Sequence, residues 1–229
     1  VSNKIRNAVI VSASPKVNET SVSELLASIC ETGIKSACES ISRVNVRRSF
    51  SQRQTERDFA AMLRADAMIV IFPLYFFCLP GMLMRFLEDY AAYYAQHKAE
   101  AVCANVYAAV NCGFPEADIN EQAVRVIESF SEKTGNRFRF GLLIGGGGML
   151  QGAKDTPFMK KAMAVISGAF RGMLEDALGG GTEPVENIHV RANFPRRLYF
   201  LAGDMGWRAA AKKNGLTKRD LYKRPYREN

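Results

Sequence analysis

Between residues 5 and 145, short apolar runs and amphipathic segments alternate five times, and no other feature constrains this chain as much. A strand covered on both faces reads as an unbroken apolar run, whereas a helix repeats its apolar residues every three or four positions. "IRNAVIVSAS" supplies the first strand, over residues 5–11. "SVSELLASI" supplies the first helix, with Ser21 and Glu24 spaced as a capping box and Leu25, Leu26 and Ile29 on one face. A weaker strand follows around Val44 and Val46. "TERDFAAMLRAD" reads as a helix capped by Thr55, with Phe59, Met62 and Leu63 inward. "AMIVIF", "ANVYAAVN" and "FRFGLLIG" are the other three strands. Between them lie two helices. "PGMLMRFLEDYAAYY" starts near Pro80; "DINEQAVRVIESFSEKTG" is capped by Asp118 and Glu121 and stopped by Gly135.

Such alternation predicts an α/β fold: a parallel sheet with helices on both faces. Right-handed crossovers leave few topologies, and five strands predict the doubly wound order 2-1-3-4-5. The ligand crevice of that arrangement lies at the carboxyl ends of strands 1, 3 and 4. Residues 151–229 read as a helical C-terminal extension: a long amphipathic helix ended by "GGGTEP", then a last helix with a basic end. No linker is long enough to separate a second domain, so residues 1–229 are expected to form one domain with its α/β core in residues 1–150.

Composition removes several functional classes. The apolar run over residues 67–84 approaches the length of a membrane span, but Pro73, Pro80 and Gly81 interrupt it. The cysteines at 30, 38, 78, 103 and 112 form no C-x-x-C pair, so neither an iron–sulfur nor a zinc site is expected. Their odd number, with no visible signal peptide, points to reduced thiols and a cytoplasmic location. His97 and His189 are the only histidines, which argues against a histidine metal centre. Residues 1–190 carry 20 basic and 20 acidic side chains; residues 191–229 carry 11 and 3, the whole net charge of +8. No nucleic-acid motif accompanies that basic end, so nucleic acid is not the expected partner.

Three loops carry chemistry to the predicted crevice. The loop over residues 12–21 offers Ser12, Ser14, Thr20 and Ser21 hydroxyls, Lys16 and Asn18 at a helix N-terminus, a setting that attracts a phosphate. The same residue types cap helices without any ligand. The loop after strand 3 is Pro73-Leu74-Tyr75-Phe76-Phe77-Cys78. A proline cannot continue a central strand, so the chain is expected to leave the sheet at Pro73 and display aromatics fit for a planar ring. The loop after strand 4 holds Asn111, Cys112, Gly113 and Phe114, with Gly113 permitting close backbone approach. No neighbouring histidine activates Cys112 as a nucleophile. The glycines at 145–148 match neither a Walker loop nor a dinucleotide fingerprint, since Leu150 stands where the third glycine belongs.

"ASPKVNETS", "ADAMIVIFPLYFFCLPGMLMRFLED" and "NCGFPE" together resemble the flavodoxin-like FMN proteins, in their NADPH-dependent FMN reductase-like branch. The resemblance covers residues 5–150 and is most specific in the middle segment. Ala13 departs from it by replacing the usual glycine. The resemblance implies non-covalent FMN, NAD(P)H as electron donor, a small-molecule substrate such as a flavin or quinone, and a homodimer or homotetramer. By the same match, Ser14, Lys16, Asn18, Thr20 and Ser21 hold the phosphate, residues 73–78 line the isoalloxazine, and residues 111–114 close its other side. No dedicated acid–base residue is expected, because the cofactor carries the redox chemistry. Two alternatives stand beside this one: an electron-transfer flavoprotein, and a flavin-free module that keeps only the fold. NAD(P)H consumption separates the first from an enzyme, and failure to bind FMN identifies the second.

Overall fold

The computed structural model describes residues 5–16, 21–153, 155–191 and 194–224. The chain divides into two compact units, residues 1–192 and 193–229.

The first unit is built on a sheet of six parallel strands: β1 (Ile5–Ser12), β2 (Cys38–Asn45), β3 (Ala67–Pro73), β4 (Asn105–Asn111), β5 (Arg137–Ile144) and β6 (Ile188–Val190). Their spatial order is β2-β1-β3-β4-β5-β6. The expected five strands and their order are therefore present, and a sixth is added at the edge. Its three residues pair with Leu142, Leu143 and Ile144. Side chains hold it in place as much as the ladder does: Asn187 Oδ1 accepts from the Gly141 N–H at 2.7 Å, and His189 Nε2 meets Glu121 at 2.8 Å.

Helices α1 (Val22–Ile34), α6 (Gly147–Ala153) and α7 (Pro157–Leu178) cover one face. Helices α2 (Val46–Ser51), α3 (Thr55–Leu63), α4 (Gly81–His97) and α5 (Glu121–Lys133) cover the other. The central strands alternate between the two cores, as their pleat requires. Met68, Val70 and Phe72 face α3 and α4, while Ile69 and Ile71 face α1. Phe86 and Phe170 are fully buried, one on each side. Truncating either to alanine removes about 3–5 kcal/mol of packing.

Three local expectations need correction. The second strand was expected around Val44 and Val46, but it runs Cys38–Asn45 and Val46 opens α2. Asn45 decides this, because its Oδ1 accepts from the Arg48 N–H and caps that helix. Thr55 is the first residue of α3 rather than its cap, a position that Gln54 takes without a side-chain bond. Asp118 and Glu121 do not cap α5 either. Asp118 lies in a 3-10 turn and pairs with Arg191, and Glu121 turns to Asn187 and His189.

In the second unit, α8 (Arg196–Lys213) is followed by a short 3-10 turn in which Asp220 accepts from Thr217 and pairs with Lys223. Among the described residues, no helix is long and apolar enough to cross a membrane.

Candidate functional site

The carboxyl ends of β1, β3 and β4 lie side by side at the centre of the sheet. Past β1, the Ala13 N–H donates to the Ile71 carbonyl at 2.9 Å, so the loop stays tied to β3. Ser14 is nearly buried and its hydroxyl accepts from the Lys16 N–H. Ser21 caps α1 as predicted, accepting from the Glu24 N–H at 3.1 Å. Asn18 and Thr20 lie outside the described residues.

Glu24 was read only as half of a capping box. Its carboxylate instead receives Ser12 Oγ at 2.5 Å, Arg43 Nη2 at 2.8 Å and Asn45 Nδ2 at 2.8 Å. A carboxylate in the first turn of α1 works against an anion there. Arg43 offsets part of that charge, its guanidinium being shared with Glu31 at 3.0 Å. Nothing in the spacing of residues 24, 43 and 45 announces this network; the pairing of β1 with β2 creates it.

Past β3, Pro73 remains in the strand opposite Asn111, and the Leu74 N–H donates to the Asn111 carbonyl at 2.8 Å. The chain leaves the sheet one residue later than expected. As the last strand residue, Pro73 forfeits no interior ladder bond. Leu74 and Cys78 pack against the α3–α4 core. Tyr75 and Cys78 then exchange two backbone hydrogen bonds, each 2.9 Å, closing a two-residue hairpin turn. Both central residues have positive φ, 46° at Phe76 and 61° at Phe77. This is the type I′ pattern, which favours Asn-Gly and is strained for bulky side chains. The turn holds its aromatics in solvent: Tyr75 is 45% exposed, Phe76 98% and Phe77 59%.

Past β4, the sequence-predicted residues divide. Asn111 is buried and donates Nδ2 to the Phe72 carbonyl at 3.2 Å. Cys112 is buried among the Phe114 and Glu116 carbonyls and Asn120 Nδ2. Burial pushes its thiol pKa up, and the hydrogen bonds offset this only in part, so Cys112 is a structural thiol. Gly113 and Phe114 face outward, and a Cβ added at Gly113 would meet nothing within 4 Å. Phe114 stacks on Phe77 with ring centroids 6.2 Å apart and planes 16° apart. The "GGGG" stretch supports this loop from below. Gly146 and Gly147 donate their N–H groups to the Phe114 and Cys112 carbonyls at 2.6 and 2.7 Å. A side chain at Gly145 would collide with the Pro115 carbonyl, and one at Gly147 would lie 2.8 Å from Asn111 Oδ1.

No family model and no curated protein matches this sequence. Solved structures match it in shape, over nearly their whole length. The Trp repressor binding protein from Bacillus subtilis aligns with a TM-score of 0.52 at 16% identity, covering 74% of this chain and 97% of that one. An NADH:FMN oxidoreductase in its apo form aligns with a TM-score of 0.52 at 13% identity, over 77% and 90%. General stress protein 14 from Treponema denticola, solved in complex with FMN, aligns with a TM-score of 0.52 at 15% identity, over 75% and 99%. The fold is flavodoxin-like. At these identities the likeness is one of architecture. In the flavodoxin-like core of this chain, the two exposed loops past β3 and β4 and the polar loop past β1 stand together at the topological switch point.

Proposed function

We propose that this chain binds FMN non-covalently at the carboxyl edge of its sheet and is an NAD(P)H-dependent oxidoreductase acting on a flavin, quinone or similar planar acceptor. The observation that carries the reading is the strained aromatic turn of Phe76 and Phe77 at the switch point, in which Phe77 stacks on Phe114. Strain of this kind persists where surrounding structure imposes it, and it clusters at functional sites. An exposed aromatic surface on one sheet edge suits a flat heterocycle.

The residues present fit the cofactor. Ser14, Lys16, Asn18, Thr20 and Ser21 would hold its phosphate together with the α1 N-terminus, and Arg43, shared between Glu24 and Glu31, offsets part of the nearby Glu24 charge. Tyr75, Phe77 and Phe114 would hold its ring, with open space beside Gly113. A ring sandwiched between two others needs about 7 Å, two contacts of about 3.5 Å. Phe77 and Phe114 stand closer than that, so the heterocycle rests against an outer face of the pair rather than between them. When bound, FMN supplies one- and two-electron redox chemistry. The protein's part is to bind and orient it, and the buried Cys112 takes none.

The test is a titration of the purified protein with FMN, followed by addition of NADPH or NADH with a quinone or free flavin in excess. Saturable one-to-one binding and catalytic consumption of the nicotinamide are expected. Flavin reduction that stops at one equivalent makes the chain an electron carrier. Failure to bind FMN refutes the reading.

A further inference from the structure

Buried polar groups nearly always have a hydrogen-bond partner, so one without a partner needs a physical reason. The Ser23 hydroxyl has none, although Ser23 is only 1% exposed. Ser23 lies in the first turn of α1, just past the capping Ser21. The other serines around that turn are committed. Ser12 donates to Glu24, Ser14 accepts from the Lys16 N–H, and Ser21 accepts from the Glu24 N–H. Ser23 heads the inward stripe of α1, which continues through Leu26, Ala27, Cys30 and Ile34 against the sheet. Every Cα–Cβ bond of a helix tilts toward the helix N-terminus. The Ser23 side chain therefore leans toward the carboxyl edge of the sheet and the loop past β1. Glu24 stands about 100° further round the helix and turns instead to Arg43 and Asn45 of β2. Ser21 takes the Glu24 N–H with its hydroxyl and the Leu25 N–H with its carbonyl. Among the described residues, the N–H groups of Val22 and Ser23 are then the free donors of the turn.

We propose that Ser23 is a phosphate ligand: its hydroxyl donates to an oxygen of a phosphate monoester seated on the N-terminus of α1, beside the Val22 and Ser23 N–H groups. Donor chemistry selects this occupant. The two amides and the hydroxyl all offer protons, so the group that meets them must be rich in acceptors. The positive end of the helix dipole selects an anion among such groups. A cation or a neutral donor gains nothing there. The proposal deepens the FMN reading and rests on it for the identity of the monoester. It adds a ligand that the composition of the polar loop does not announce, because Ser23 reads in the sequence only as part of a helix.

Removing this hydroxyl has opposite effects on the free and the loaded protein. An unpartnered buried hydroxyl destabilises, so Ser23→Ala raises the thermal midpoint of the ligand-free, full-length protein by about 2–4 °C. A lost hydrogen bond to a charged phosphate weakens FMN about 10- to 100-fold in a fluorescence titration. Riboflavin, which lacks the phosphate, binds parent and variant alike. Ser49→Ala is the control: Ser49 is also buried and unpartnered, but lies in α2 on the opposite face of the sheet. That variant gains stability too and binds FMN as the parent does. Inorganic phosphate provides an arm without flavin. Its general salting effect acts on every variant, so stabilisation of the parent beyond that of Ser23→Ala reads the site. A lower midpoint for ligand-free Ser23→Ala shows that the hydroxyl is already bonded and overturns the proposal. Unchanged FMN affinity overturns it as well, and so does an equal loss of FMN and riboflavin. If neither flavin binds the parent, the FMN reading falls and the phosphate arm decides. Extra stabilisation of the parent then keeps Ser23 as a phosphate ligand, and equal midpoint shifts remove it.

Discussion

Replacing Phe76 and Phe77 by Asn and Gly should make the protein more stable and a worse FMN binder. Both residues have left-handed φ, 46° and 61°. That conformation costs an ordinary residue roughly 1–2 kcal/mol, so the two residues of the turn store about 2–4 kcal/mol. Asn-Gly is the pair that type I′ turns favour, and it releases most of this. Little is lost in exchange. Phe76 is 98% exposed and buries almost nothing. Phe77 gives up its stacking on Phe114, worth about 1 kcal/mol. The net gain is about 1–3 kcal/mol, or about 2–12 °C in Tm for a chain of this size. Urea unfolding followed by far-UV circular dichroism measures the stability. Losing one ring contact of about 1–1.5 kcal/mol weakens FMN roughly five- to tenfold, read by fluorescence titration. A variant less stable than the parent refutes the strain argument. A variant that gains stability and binds FMN unchanged separates the turn from the cofactor site.

Gly145→Ala drives a Cβ into the Pro115 carbonyl and should destabilise the protein by about 1–3 kcal/mol in urea, displacing the loop that carries Phe114. Asp176→Ala removes the bidentate partner of Arg139 and the acceptor of the Tyr107 hydroxyl, bonds of 2.7–2.9 Å, and should cost about 3 kcal/mol at pH 7. Burial would raise the Asp176 pKa, but hydrogen bonds from Arg139 and Tyr107 and the Arg139 charge outweigh it and hold the group below its ordinary 3.8. A depressed folded pKa gives stability that is complete above the unfolded value and lost as pH falls through the folded one. The gap between parent and Asp176→Ala, measured by chemical unfolding at each pH, should therefore narrow only below pH 3.8. Brief alkylation of the native protein at neutral pH should label the exposed Cys103 and spare the buried Cys112, as peptide mapping would show. Labelling of Cys112 first would overturn its structural assignment.

The sheet was legible because burial on both faces leaves a one-dimensional trace. β3 and β4 are apolar almost throughout, over runs too short for a typical helix. β6 left no such trace. Its three residues are "IHV", and its place depends on Asn187, His189 and Glu121, which are far apart in the chain and say nothing until the fold joins them. The same holds for the start of α2. A capping Asn45 beside a β-branched Val46 reads equally as strand, and the side-chain bond to the Arg48 N–H breaks the tie.

At the site, sequence reasoning found the loops but not the division of labour within them. Asn111 and Cys112 are the residue types a ligand would use, yet both spend their polar groups on the protein's own backbone. The "GGGG" stretch has the composition of a phosphate loop, and its glycines serve instead to let two loops touch. The aromatic turn is the opposite case. Composition predicts nothing unusual for two phenylalanines between strand and helix, and a type I′ turn is the last place their propensity would put them. Their position there is imposed by what flanks them: Leu74 and Cys78 are anchored in the core, and Tyr75 and Cys78 are hydrogen-bonded to each other in both directions. Only two residues remain to reverse the chain, and side chains at those two positions must point away from the sheet. The protein thus holds two large rings in water at a conformational cost that Asn-Gly would have avoided, which is intelligible if the rings have something to hold.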